Sequence, residues 1–343
     1  MKILVTGGCG YIGSHTCVEL LSAGHEVVVI DNLSNSKRSV LPRVIEHSPS
    51  GASLCFEEAD LRDERRLVEL FEAHQPEAVI HFAGLKAVGE SVAQSLRYYD
   101  NNVSGTISLL KAMDATGVKT LIFSSSATVY GEPERVPLTE DCATRATNPY
   151  GRSKLMIEEL LRDLCVSDAE MSVTLLRYFN PVGAHPSGDL GEDPSGVPNN
   201  LLPYIAQVAV GRLPKLRVFG DDYPTSDGTG VRDYIHVIDL ALGHLASLNA
   251  HHREPGCHVY NLGTGSGLSV HELREAFERA CGKAIPFEVV GRRAGDIASC
   301  WADPSHAQRG LGWVATRNVD EMVSSAWRWQ SQNPFGFPED ERS

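Results

Sequence analysis

Long apolar runs are missing from this 343-residue chain, and no stretch approaches the ~20 consecutive apolar residues that a membrane span needs. The N-terminus also lacks the apolar region and small-residue cleavage site of a secretory leader, because Ile3-Leu4-Val5 runs straight into glycines. Cysteines at metal or redox spacing are absent too. The eight stand at positions 9, 17, 55, 142, 165, 257, 281 and 300, with no Cys-x-x-Cys and no zinc pattern. Free thiols in a reducing compartment are therefore expected, which places the protein in the cytoplasm. Positive charge is in short supply. The 31 Lys and Arg against 44 Asp and Glu leave a net charge of −13, which argues against nonspecific binding to nucleic acid or to an anionic membrane. There is no internal repeat and no low-complexity tract. What remains is ordinary for a globular protein: 42% hydrophobic and 22% charged residues, in a chain long enough for one large α/β domain or two lobes.

The first stretch has a definite order. Lys2-Ile3-Leu4-Val5-Thr6 reads as a buried strand, and Gly7-Gly8-Cys9-Gly10-Tyr11-Ile12-Gly13 follows at once. Ser14 to Ala23 has helical character and stops at Gly24; Glu26-Val27-Val28-Val29-Ile30 is a second strand ending in Asp31. Strand, glycine loop, helix, strand and acid form a dinucleotide-binding unit. Its glycines, Gly7, Gly10 and Gly13, let the backbone approach a pyrophosphate, and the helix N-terminus offers free N–H groups to it. Asp31 suits the ribose hydroxyls of NAD and would repel the 2′-phosphate of NADP, so NAD is the expected cofactor.

The alternation continues. Strands are expected near 53–57, 78–82, 119–124 and 172–178, and helices near 64–74, 104–116 and 149–165. Such repetition implies a parallel sheet covered on both faces. Ligands of such sheets lie beyond the carboxyl ends of the strands, where Asp31, Ala83, Ser126 and Phe179 should line one crevice. After Asn180 the texture changes: 181–200 is dense in Pro, Gly and Asp, and 221–230 is another polar loop. Helices near 201–210, 237–249, 270–281 and 320–329 are expected, and Val259 to Gly263 reads as a late strand returning to the sheet. The fold class is α/β: a Rossmann-type doubly wound parallel sheet with a smaller C-terminal substrate lobe. Residues 1–179, with 232–262 returning, form the nucleotide lobe, and 180–231 with 263–343 form the other. A pocket is expected between them.

Asn148-Pro149-Tyr150-Gly151-Arg152-Ser153-Lys154 offers a candidate proton-transfer pair, although a tyrosine and lysine four apart on a helix are also a common solvated surface pair. Proline suits the first turn of a helix, and residues four apart share a face, so the Tyr150 phenol and the Lys154 ammonium can point into one space. A free tyrosine, with pKa ~10, is a poor base at neutral pH, and a nearby cation makes it a better one.

With the glycine loop, Asp31, Ser126 and the Tyr150/Lys154 pair in place, the chain resembles the extended short-chain dehydrogenase/reductase family. Five stretches carry the likeness further: Thr6 to His15, Asp31 to Ser36, His81 to Ser91, Arg177 to Pro186 and Gly230 to His236. Within the family they are similar to the epimerases that act on UDP-hexoses at C4. The resemblance implies NAD that stays bound, a 4-keto sugar, galactose metabolism, no metal and a homodimer joined by first-lobe helices. It implies Tyr150 as the acid–base, Lys154 on the nicotinamide ribose and Ser126 on the reacting oxygen. It assigns NAD contacts to Tyr11, Ile12, Asp31, Asn32, Leu33, Ser34, Asn35, Ser36, Asp60, Leu61, Phe82, Ala83, Gly84, Leu85, Lys86, Asn101 and Phe179. UDP-sugar contacts fall to Lys86, Asn180, Asn200, Leu201, Arg217, Val218, Phe219, Arg232, Arg293 and Asp296. Arg232 and Arg293 can bind a diphosphate, and Phe219 offers a face to uracil.

Two departures matter. Ala127 stands where related dehydratases carry an Asp-Glu pair, so elimination of water is disfavoured. Cys300, before Trp301, stands where some of these epimerases carry tyrosine beside the sugar, and the space it leaves implies that UDP-N-acetylglucosamine and its galactosamine epimer are also turned over. Two readings stay open beside this one. An NAD-dependent epimerase of another sugar nucleotide would differ in the second lobe. A catalytically silent NAD-sensing protein would be expected to lack the tyrosine or the lysine.

Overall fold

Seven short runs, most of them rich in Val, Ile and Leu, build one fully parallel sheet. The computed structural model describes residues 1–293 and 295–339; Ala294 of the expected Arg292 to Asp296 segment and the last four positions of the expected 263–343 lobe lie outside them.

The chain starts with β1 (Lys2–Thr6), α1 (Tyr11–Ser22), β2 (Glu26–Asp31), α2 (Val40–Glu46), β3 (Leu54–Glu58), α3 (Glu64–His74) and β4 (Ala78–His81). Next come α4 (Val88–Ala93), α5 (Ser95–Tyr99), a π-helical turn over Asp100–Ser104, α6 (Gly105–Thr116), β5 (Thr120–Ser126), α7 (Pro149–Ser167) and β6 (Ser172–Tyr178). Then follow β7 (Asn180–Val182), α8 (Leu201–Ala209), β8 (Leu216–Phe219), β9 (Val231–His236), α9 (Val237–His251) and β10 (Gly256–Leu262). The chain closes with β11 (Gly267–Ser269), α10 (Val270–Cys281), β12 (Phe287–Val290), β13 (Ser299–Cys300), α11 (Ser305–Leu311) and α12 (Val319–Gln332).

The sheet order is β10-β6-β5-β4-β1-β2-β3. The chain winds outward from β1 through β2 to β3, then crosses to β4 on the other side, so the topological switch lies between β1 and β4. One face is covered by α1 and α9, whose apolar residues join Val5, Val27 and Ile80 in one core; the other carries Leu67, Leu70, Leu109, Met113, Ile157 and Leu161 from α3, α6 and α7. A separate core joins α8, α10 and α12 through Leu202, Ile205, Phe277, Met322 and Val323.

The late strand returns as expected: β10 pairs β6 in parallel. β9 belongs elsewhere, to a small sheet with β7, β11 and β13, so the expected boundary at residue 232 falls inside a strand of that sheet. α1 begins at Tyr11 rather than Ser14, because Gly10 is extended and turns the glycine loop directly into the helix. The strands β7, β8 and β11 to β13 run only two to four residues, too short to show a period in sequence. Helix ends follow capping chemistry. Pro149 starts α7 behind Asn148, whose side chain accepts from Gly151 N at 2.9 Å. Ser269 with Glu272, and Asn318 with Glu321, form capping boxes on α10 and α12. Among the described residues, no helix is long and apolar enough to cross a membrane.

Candidate active site

At the switch point the glycine loop is pressed against the end of β4. Gly7 has φ +70°, and a Cβ there would lie 2.7 Å from Ala83 N. At Gly13 a Cβ would lie 2.3 Å from Gly7 O, so α1 starts tight against the loop. Gly10 caps α1 with no side-chain hydrogen bond, and no acid stands in the first turn. The helix start thus presents N–H groups to an anion. Tyr11 Oη donates to Gly183 O at 2.6 Å, linking this turn to the segment after β7, and Ile12 packs into the core.

Asp31 ends β2, buried. Its carboxylate accepts from Cys9 N at 3.1 Å, Leu33 N at 2.9 Å and Ser36 Oγ at 2.9 Å. Burial raises its pKa, and these hydrogen bonds oppose the rise. Asn32 Nδ2 donates to Asp60 Oδ2 at 3.0 Å; Ser34 and Asn35 are exposed, and Leu61 is buried. Asp60 also pairs with Arg62, which holds its carboxyl well below the usual range.

The pair itself sits where α7 meets β5. Tyr150 and Lys154 are buried on the first turns of α7. Lys154 Nζ donates to Ser124 O at 2.7 Å and lies 4.7 Å from the Phe123 ring centroid. Ser126, the last residue of β5, faces Tyr150; its Oγ accepts from Thr128 N at 3.2 Å and Thr128 Oγ1 at 2.9 Å as Ala127 opens a short turn. Burial pushes the Tyr150 phenol up, with Ser126 opposing. Burial pushes Lys154 down to about 8, with Glu158 opposing. Desolvation dominates at both, and each group is driven toward its neutral form. From the spacing, a neighbouring cation is expected to favour the phenolate; burial of both side chains opposes that.

Asp31, Ala83, Ser126 and Phe179 lie at or just past the ends of β2, β4, β5 and β6, on one edge of the sheet. Phe82 packs on His244 at 4.7 Å. Gly84 is close enough to α7 that a Cβ would lie 3.8 Å from Lys154 Nζ. Across the crevice, Asn180 starts β7, Asn200 caps α8 and Leu201 opens it. Cys300 pairs Arg232 in the small sheet and packs with Phe179 and Tyr130. The guanidinium carbons of Arg217 and Arg293 lie 5.4 Å and 4.5 Å from the centre of the Phe219 ring. Arg293 Nε donates to Asp296 Oδ2 at 2.9 Å. Val218 is the exception among these: its side chain is buried in the second-lobe core, so only its main chain could meet a ligand.

The model of the NAD dependent epimerase/dehydratase family matches residues 3–263. The chain belongs to that family. The UDP-glucose 4-epimerase of Bacillus subtilis (strain 168) is 60% identical over 337 residues, 98% of this chain and 99% of that protein. The human UDP-glucose 4-epimerase is 57% identical over 341 residues, 98% of each chain. The solved structure of UDP-glucose 4-epimerase from Bifidobacterium longum, in complex with NAD+ and UDP, superposes with a TM-score of 0.94 at 52% identity, covering 98% of this chain and 100% of that one.

As a member of the NAD dependent epimerase/dehydratase family, the chain uses NAD, and its residues fit that group. The glycine loop is a cradle that a Cβ would fill, and the buried Asp31 carboxylate stands at the end of β2. Several residues organise the site through contacts that no motif announces. Asn102, in the π-helical turn, accepts from Leu85 N at 2.8 Å and from Asn101 Nδ2 at 3.0 Å, and donates to Leu85 O and Ser153 Oγ, both at 3.0 Å. It fixes the 82–86 turn to α7. Asp233 accepts from Thr264 N at 2.9 Å, Gly265 N at 3.1 Å and Ala302 N at 3.1 Å, tying the small sheet together. Glu158 and Arg177 form a buried ion pair at 2.6 Å under α7. Their organising roles carry no local spacing signal, because the partners that matter lie 17 or more residues away, as Leu85 does from Asn102.

Proposed function

We propose that this chain interconverts UDP-glucose and UDP-galactose by oxidising and re-reducing the sugar at C4. The observation that carries the reading is the placing of Tyr150 and Lys154 on α7, against Ser124 and Ser126 at the end of β5, beside a glycine loop fit for NAD. NAD would lie along Gly7 to Ile12, Asp31 to Ser36, Asp60, Leu61, Phe82 to Lys86, Asn101 and Phe179, and supplies reversible hydride exchange with C4. Tyr150 Oη takes the proton of the sugar 4-hydroxyl and later returns it. Ser126 Oγ orients the reacting oxygen. Lys154 holds the nicotinamide ribose and keeps positive charge near the phenol, offsetting the desolvation that raises its pKa. Arg232 and Arg293 bind the diphosphate, Phe219 receives the uracil, and Asn180, Asn200, Leu201, Arg217, Val218 (main chain) and Asp296 complete the pocket between the two lobes. The phenol keeps one place, so the 4-keto sugar must turn to present either face. Ala127 supplies no carboxylate for elimination, which favours epimerisation over dehydration.

Two finer readings accompany this. Cys300 leaves room beside the sugar 2-position, so UDP-N-acetylhexosamines are also substrates. Exposed Val88, Val92, Leu96, Ile107 and Met156 on α4, α5, α6 and α7 support a homodimer built on these helices, in the cytoplasm. The test uses UDP-galactose deuterated at C4. The label should remain at C4 of the UDP-glucose formed; loss of the label to water would contradict hydride exchange within the site.

A further inference from the structure

Glu192 lies in the irregular stretch between β7 and α8, with a side chain only 10% exposed. Its Oε1 accepts from Lys86 Nζ at 3.1 Å and from Asn200 Nδ2 at 3.3 Å. One carboxylate thus joins the turn after β4 to the start of α8, across the mouth of the crevice.

The three partners are unequal. The backbone around Glu192 is anchored: Trp329 Nε1 donates to Glu192 O at 3.0 Å, and Asp193 Oδ2 accepts from Phe337 N at 3.0 Å and pairs with Lys37 at 3.3 Å. A Cβ on Gly191 would lie 2.4 Å from Trp329 Cγ, so the chain lies flat on that ring. Lys86, by contrast, is 48% exposed, and Asn200 is exposed and makes no cap bond with its own helix. A long lysine left to itself loses rotamer freedom when it binds a ligand. Here the acid is largely covered on an anchored backbone, and the two side chains it holds are the exposed ones. Each bond uses one donor, which leaves two N–H groups of Lys86 and the Asn200 oxygen free for a substrate. Burial pushes the Tyr11 phenol up, and the nearby Glu192 charge adds to that.

We propose that Glu192 is a positioning residue that aims Lys86 and Asn200 together at the UDP-sugar. The inference rests on the reading of those two as substrate contacts. Glu192 does not touch the reacting atoms, so it acts on affinity rather than on the chemical step.

The test is a double-mutant cycle of E192Q and K86M in the NAD-loaded protein, with UDP-galactose kinetics and with UDP-glucose binding measured in a Tyr150→Phe background. Glutamine keeps the shape and an accepting oxygen but loses the charge-assisted bond. We expect E192Q to raise KM and Kd about fivefold, to leave kcat within about twofold and to add less than about twofold once Lys86 is gone. Equal factors in both backgrounds, or an unchanged Kd, overturn the positioning role, as does a fall in kcat alone. Binding that follows the cycle without turnover in the wild-type protein would sink the epimerase reading and leave Glu192 in place.

Discussion

Lys154 Nζ stands 2.7 Å from the main-chain oxygen of Ser124. That bond pins the ammonium of α7 to the end of β5, over the ring of Phe123. It also fixes where the phenol one turn earlier can point. Lys154 and Ser124 are both buried, and burial of the amine makes stability depend on pH.

Burying Lys154 lowers its pKa from 10.5 to about 8. Below about 8 the amine is charged in both folded and unfolded chains, so folding bears the full burial cost; above 10.5 it is neutral in both and the cost vanishes. The unfolded chain binds more protons between these values, so stability gains from rising pH there. Lys154→Met in NAD-free protein should therefore raise the melting temperature at pH 7, with the advantage shrinking from pH 8 upward. A variant less stable than wild type at pH 7 would mean that the bond to Ser124 outweighs the burial cost.

Tyr150→Phe should keep the fold and bound NAD, since the ring stays and only the hydroxyl goes. Turnover should fall by ~10²-fold or more, the range typical of a lost general acid–base. Cofactor content by absorbance and steady-state rates check this. A rate within tenfold of wild type would remove the tyrosine from the proton path.

Under α7, Glu158 is bound by Arg177 and by Ser125 Oγ at 2.6 Å, and Arg177 reaches Tyr130 Oη at 3.1 Å. Arg177→Met leaves the buried Glu158 carboxylate with Ser125 Oγ and the longer contact to Arg162, at 3.7 Å, and should cost about 3 kcal/mol in denaturant unfolding. Adding Glu158→Gln should recover part of that loss. Additive losses would show that the two groups do not act as a pair.

Cys300 sits in the small sheet opposite Arg232, packed with Phe179. On the proposed placing of the sugar, Cys300→Tyr fills the space beside its 2-position. It should lower kcat/KM for UDP-N-acetylgalactosamine by at least tenfold while sparing UDP-galactose. An unchanged ratio between the two would show that this position does not set substrate size.

The first lobe was legible because its signals are local. Val27 to Ile30 form a continuous apolar strand, Gly117 stops α6 and Pro149 opens α7, each within one turn of what it controls. The crevice followed from strand direction alone, which is why Asp31, Ala83, Ser126 and Phe179 could be placed on one edge. The second lobe was less legible because its order is long-range. β9 reads as the lead-in to a helix, yet it is held by Asp233, whose partners lie at Thr264, Gly265 and Ala302. The Arg217 to Phe219 motif is expected from the sequence to meet the ligand, but strand alternation turns the Val218 side chain into the core. The Tyr150 pKa depends on burial, which spacing does not report.

The most direct test of epimerisation with bound NAD is to add UDP-galactose to the purified protein with no added NAD and to follow UDP-glucose. Many turnovers per protein molecule, an approach to a fixed ratio of the two sugars from either side and no net NADH are expected. No UDP-glucose from protein shown to contain NAD, or NADH formed in step with sugar consumed, would contradict it.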